Sequence, residues 1–194
     1  MSASMLDAVT VSAGPAPVVL PFGRPSAPVL IEALPPQARF VLRLRNDAGF
    51  PKVAELSGVA LPREACRFAE NGSRRAIWLG PDEWLLVAPY AEAGHLFDGL
   101  EQALAEIPHS LVEVSHRSLG YAISGREAAS VLAAGCPLDL DQRAFPIGMA
   151  TRTVLAKTEI ILQRTGGESF QLDVWRSFAN YTLGYLIEAA RSYG

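Results

Sequence analysis

The chain has 194 residues, enough for one large domain or two small ones, and 49% of them are hydrophobic, ample for a core. A formal net charge of −3, with no run rich in Lys or Arg, argues against a nucleic-acid binder and against a membrane-surface patch. The two cysteines, Cys66 and Cys136, lie far apart with no CxxC or Cys/His cluster, so they read as reduced, mostly buried thiols and not as zinc ligands.

Residues 1–37 are rich in Ala, Pro, Ser and Val and carry few charges. Their prolines disfavour helix, so the stretch reads as an extended arm ahead of a domain over 38–194. The start has no basic region, and Pro15, Pro17 and Pro21 interrupt its apolar run, which does not suit a secretory signal. No stretch approaches the ~20 apolar residues of a spanning helix. A soluble, cytoplasmic protein is the expectation.

Regular structure is expected to begin at RFVLRLR (39–45), where Phe40, Leu42 and Leu44 alternate with Val41, Arg43 and Arg45 in the period of a strand. Residues 46–72, with Gly, Pro and Asn punctuation, read as loop. AIWL (76–79) and EWLLVA (83–88) form a predicted hairpin around Gly80-Pro81-Asp82. Both of its faces are apolar. One packs on the core, and the other must be covered by helices or by another chain. Trp78 and Trp84 are therefore interface candidates.

Over 91–107 the period changes. Leu96, Phe97, Leu100, Leu104 and Ile107 form one stripe of an amphipathic helix. LVEVS (111–115) and GYAIS (120–124) read as strands. Ser124-Gly-Arg-Glu127 has the pattern of a capping box opening a helix over 126–134, with Gly135 as a left-handed cap. Three further strands are predicted at 151–156, 159–164 and 170–175, the last two joined by a turn at 165–168. Ser177 would cap a final helix presenting Phe178, Tyr181, Tyr185, Leu186, Ala189 and Tyr193 on one side. Gly184 inside it suggests a close backbone contact, since glycine there costs ~1 kcal/mol relative to Ala. Hairpins dominate and no βαβα alternation occurs. The fold class is α+β, mainly antiparallel sheet with helices packed on its faces.

The stretch EVSHRSLG (113–120) concentrates chemistry: a carboxylate, a hydroxyl, an imidazole and a guanidinium. In an extended strand, Ser115 and His116 would point to opposite faces and could not act as nucleophile and base together. No GxSxG elbow precedes them. A hydrolase centred on Ser115 is thus the weakest reading. His116 and Arg117 read as structural or interface groups, Arg117 being suited to grip a partner carboxylate. His95 and His109 have no metal-ligand spacing, Asp139 and Asp141 lack the rest of a calcium loop, and no nucleotide-binding glycine pattern occurs. No catalytic, cofactor-binding or metal residue is assigned.

Four stretches taken together, at 74–89, 112–140, 143–165 and 170–190, resemble the gamma subunit of heterotetrameric bacterial sarcosine oxidase. That family is related to the folate-binding fold of the glycine-cleavage aminomethyltransferase. Glu113-Val114-Ser115-His116 stands where the latter has Asp-x-Ser-His, and Gly125-Arg126-Glu127-Ala128 where it has Gly-x-x-Ala. Its Gly-Gly-Ile-(Ile)-Asp-Asp stretch, whose acid helps hold folate, is replaced here by Leu155-Ala156-Lys157-Thr158-Glu159-Ile160-Ile161. The resemblance therefore implies an inherited fold without the folate site. It implies a non-catalytic subunit of an assembly that oxidatively demethylates sarcosine, with no cofactor in this chain. FAD, FMN, NAD and tetrahydrofolate would belong to partner subunits of the alpha, beta and delta set. The alternative is a free-standing folate-binding protein of the aminomethyltransferase-like group.

Overall fold

The computed structural model describes residues 29–193, so the reading of residues 1–28 as arm without a signal lies outside the described residues. Ten strands form two five-stranded antiparallel sheets. The first sheet contains β2 (Gln37–Leu44), β3 (Phe68–Asn71), β4 (Arg74–Gly80), β5 (Glu83–Pro89) and β6 (His109–Glu113), in the order β3-β4-β5-β2-β6. The second contains β1 (Leu30–Ala33), β7 (Ser118–Ser124), β8 (Ala150–Leu155), β9 (Thr158–Gly166) and β10 (Ser169–Trp175), in the order β1-β7-β10-β9-β8. Four α-helices accompany them among the described residues: α1 (Gly49–Ser57), α2 (Ala93–Leu104), α3 (Ala128–Ala133) and α4 (Ala179–Ala190). The antiparallel α+β class is as the sequence implied.

Alternation along the strands sorts the side chains into three layers. On the outer face of the first sheet, Phe40, Leu42, Trp84 and Leu86 pack with Val53 of α1 and Leu96, Leu100 and Leu104 of α2. On the outer face of the second, Ile123, Leu162, Phe170 and Leu172 pack with Val131 and Leu132 of α3 and Leu186 of α4. Between the sheets lies a third, smaller cluster of Ile77, Leu85, Val87 and Ala150, flanked by Val41, Phe68 and Ile161. The second apolar face of the β4–β5 hairpin is thus covered by the other sheet of the same chain. It needs neither helices nor a partner.

Several local expectations change. Among the described residues, regular structure begins at Leu30, ahead of residue 39: β1 pairs with β7, from Leu30 opposite Ser124 to Ala33 opposite Tyr121. Residues 30–33 are therefore part of a sheet, and Ile31 is buried in the core beneath it. The loop-like 46–72 segment holds α1 and β3. No side chain caps α1, and it ends at Gly58, whose φ of 70° lies in the left-handed region that glycine enters at little cost.

Ser124 and Ser177 do not cap α3 and α4. Those helices start after Glu127 and Phe178, with no side-chain cap hydrogen bond. Gly135 is not in the left-handed region. Its missing Cβ makes room for Tyr185, whose hydroxyl donates to the Ala134 carbonyl at 2.7 Å; a Cβ there would lie 2.5 Å from that oxygen. Gly184 has no such neighbour and faces open space. The stripe on α4 is rotated: Ala179, Thr182, Leu186 and Ala190 are buried, while Phe178, Tyr181 and Tyr193 are exposed. No helix among the described residues is long and apolar enough to cross a membrane.

Candidate functional site

Residues 114–117 are not extended. They turn the chain from β6 in the first sheet to β7 in the second. Ser115 is buried in this turn. Its hydroxyl accepts the backbone N–H of Arg39 at 3.0 Å and donates to Glu113 Oε1 at 2.7 Å. The Val114 N–H donates to the Arg39 carbonyl at 2.7 Å. The hydroxyl thereby continues the β2–β6 ladder where the backbone leaves it, which is the local reason for a serine here. Ser115 and His116 are not paired. The His116 ring is exposed, with Nε2 3.2 Å from the Tyr90 hydroxyl and the two rings edge to face at 5.8 Å.

Arg117 is also exposed, and its guanidinium lies over the Trp175 ring, 5.4 Å from the centroid. Arg176 locks the turn from the other sheet. Its N–H donates to the Arg117 carbonyl at 2.8 Å and its Nε to the His116 carbonyl at 3.0 Å. His116 and Arg117 are therefore brought together at one end of the sheet stack. Trp78 and Trp84 are not part of that surface.

Trp84 is 2% exposed. It packs edge to face on Phe50 at 5.3 Å, and its indole N–H donates to the Pro62 carbonyl at 2.8 Å. Trp78, its cross-strand partner, lies half-buried on the same core. Trp84, an interface candidate from the sequence, is instead buried against Phe50 of α1, a helix within the segment that reads as loop.

Beneath the turn, the facing sides of the sheets carry a buried polar network that the sequence did not signal. Arg39, 2% exposed, donates from Nε and Nη2 to Asp173 Oδ1 at 2.9 and 2.6 Å. Gln163 Nε2 donates to Asp173 Oδ2 at 3.0 Å. Arg75 Nη1 donates to Gln163 Oε1 at 2.8 Å and also to Gln171, while its Nη2 reaches Glu70 at 2.8 Å. Five strands, three from the first sheet and two from the second, are tied in this way.

At the margin, Glu83 accepts from Arg43 at 2.8 Å and from Arg152 of the second sheet. Burial alone would raise the Glu83 carboxyl. The hydrogen bonds and charges of these two guanidiniums more than offset it and hold the group below its ordinary value.

Beside the network the sheets part around a cavity of about 190 Å³. Arg117, Arg152, Glu159 and Asp173 line its polar side; Val41, Leu85 and Ile161 form its apolar floor, and Trp175 one wall. Among the described residues, no group of three His, Cys, Asp or Glu side chains is placed to hold a metal. Cys66 and Cys136 are free thiols, the second buried.

Known proteins are similar to this chain along most of its length. Two bacterial proteins described as sarcosine oxidase subunit gamma align over 145 residues, or 74% of this chain and 70% of theirs. The one from Corynebacterium sp. (strain P-1) is 36% identical and the one from Arthrobacter sp. 34%. A chain of the heterotetrameric sarcosine oxidase from Corynebacterium sp. U-96, solved in complex with pyrrole 2-carboxylate, superposes with a TM-score of 0.78 at 32% identity, covering 85% of both chains. The glycine cleavage system aminomethyltransferase T from Bartonella henselae shares the fold, with a TM-score of 0.59 at 16% identity over 84% of this chain and 46% of that one. Residues 45–192 match the sarcosine oxidase, gamma subunit family, and the chain belongs to it.

Proposed function

We propose that the chain is the gamma subunit of a heterotetrameric sarcosine oxidase and serves the assembly and stability of that complex without an active site of its own. One observation carries the second half of this reading. The single stretch with the residue types for acid–base or nucleophilic work, Glu113 to Arg117, spends its hydroxyl on the Arg39 N–H and Glu113, and its backbone carbonyls on Arg176. These groups hold a turn. The oxidative demethylation of sarcosine, with FAD, FMN, NAD and tetrahydrofolate, then falls to the alpha, beta and delta subunits in the cytoplasm.

The test is co-expression of the four chains with and without this one. Its omission should lower the yield of assembled oxidase, and the chain alone should elute from gel filtration without a flavin band. In the assembled enzyme, Ser115→Ala should leave turnover within about twofold, whereas removal of a nucleophile costs many orders of magnitude. The same substitution strands the buried Arg39 N–H and should lower stability by about 1–2 kcal/mol.

Glu159 at the cavity favours one second reading, a folate-binding protein that acts alone. Calorimetric titration of the isolated chain with tetrahydrofolate decides it. A micromolar isotherm lost in Glu159→Gln would replace the assembly reading.

A further inference from the structure

The end of the sheet stack built around the β6–β7 turn carries a surface unlike the rest of the chain. Trp175, Phe178 and Tyr181 follow one another from the end of β10 into the first turn of α4, and are 44%, 43% and 43% exposed. Tyr90, 40% exposed, joins them through His116. Arg117 and Arg176 stand among these rings and make no ion pair among the described residues. Most of the other arginines do make one: Arg39, Arg43, Arg45, Arg74, Arg75 and Arg152 all face carboxylates. The cavity opens beside the same rings, with Arg117 and Trp175 in its lining.

We infer that this aromatic end is a docking surface for another subunit of the oxidase, which presents carboxylates flanked by apolar side chains to Arg117 and Arg176. The inference rests on the proposed membership of a complex and adds where, and to what chemistry, the chain attaches. Half-exposed Trp, Tyr and Phe with arginine is the composition of interface anchors. An arginine lying on an indole face keeps its donor edge free for a carboxylate.

The local acids do not satisfy these arginines. Asp173 is committed to Arg39 and Gln163, and Glu113 accepts from Ser115. Glu159, at the cavity, makes no ion pair among the described residues.

The experiment measures binding of the full-length chain to the co-purified remaining subunits by biolayer interferometry, at low and high salt. Wild type should bind, and more weakly in salt. Trp175→Ala and Arg117→Glu should each weaken binding by about tenfold or more, with unchanged circular dichroism and melting. Ile147→Ala, which removes an equally exposed apolar residue elsewhere, should change nothing. Arg117→Gln should flatten the salt dependence.

If wild type does not bind, the assembly reading fails before this one is reached. If wild type binds and both folded variants bind equally well, the docking surface lies elsewhere and the inference is wrong. It is also wrong if the variants abolish a homodimer of the isolated chain while leaving binding to the other subunits intact, since the occupant is then a second copy.

Discussion

Leu100 of α2 and Leu132 of α3 are fully buried against their sheets, surrounded by carbon. Arg39 and Asp173 are almost as deeply buried between the sheets, surrounded by each other's hydrogen bonds. The helix-covered faces and the sheet–sheet seam thus use different means of cohesion. On the outer faces, a large side chain removed from water contributes ~1.5–3 kcal/mol, with no requirement on direction beyond packing. In the seam, the buried ions must meet with correct geometry, because an unpartnered one is costly. The outer faces supply cohesion; the seam fixes which way one sheet lies on the other. That division joins two separate helix-covered cores through hydrogen bonds of fixed direction.

The comparison breaks most severely at Trp84. Trp84→Ala removes a buried ring from the outer core and leaves the Pro62 carbonyl without its donor, so urea unfolding should show a loss of about 4 kcal/mol. A variant as stable as wild type would mean that α1 does not cover that face.

Next comes the seam. Asp173→Ala should cost about 3 kcal/mol, because the Arg39 guanidinium stays buried without its carboxylate. Arg39→Met combined with Asp173→Leu should regain most of that loss, as apolar replacements of buried ion pairs do. A double variant no better than the single would show that the network contributes more than paired burial.

A smaller effect is expected at the β8–β9 turn, at the edge of the second outer face. Ala156 is a non-glycine residue at a φ of 53°, in the first position of a two-residue hairpin loop where glycine is favoured. Ala156→Gly should raise stability by about 1 kcal/mol in the same denaturation assay. A loss would mean that the Ala156 methyl packs better than its backbone is strained.

The smallest effect concerns the margin of the seam and is read against pH. The Glu83 carboxyl is held below its ordinary value when folded. Its contribution is therefore complete above the unfolded value of about 4.3 and is lost as pH falls through the folded one. Melting temperatures followed downward from pH 6 should fall less steeply for Glu83→Gln than for wild type over that acidic window. Parallel curves would remove Glu83 from the acid response.

What the sequence disclosed follows the same division. The outer-face residues of β2, β5, α2, β9 and β10 alternate or recur in the period of their element, and their strands and helix lie close to where periodicity puts them. The seam was hidden. Arg39, Arg75, Gln163 and Asp173 look like solvent-facing positions of ordinary strands, and only the docking of a second sheet, distant in sequence, buries them. That docking also covers the hairpin face that seemed to need a partner. α1 was missed because Gly49 and Pro51 look like loop chemistry, and α4 was misphased because aromatic residues weigh heavily in an apolar stripe whether or not they are buried. Of the interface candidates, His116 and Arg117 come together because both lie in the turn between the sheets, while Trp84 is claimed by a helix the sequence did not reveal.

The placement of β1 bears on how the chain is made. Leu30 emerges from the ribosome early, but its partner in the sheet is Ser124, and β10 on the far side of β7 is made later still. The first sheet, from β2 to β6, is synthesised whole before β1 has anything to pair with. The order of translation and the order of strand pairing are inverted at this strand, and Ile31 stays uncovered until the second sheet closes. A released fragment ending at residue 117 should hold the first sheet and leave this strand open to other proteins.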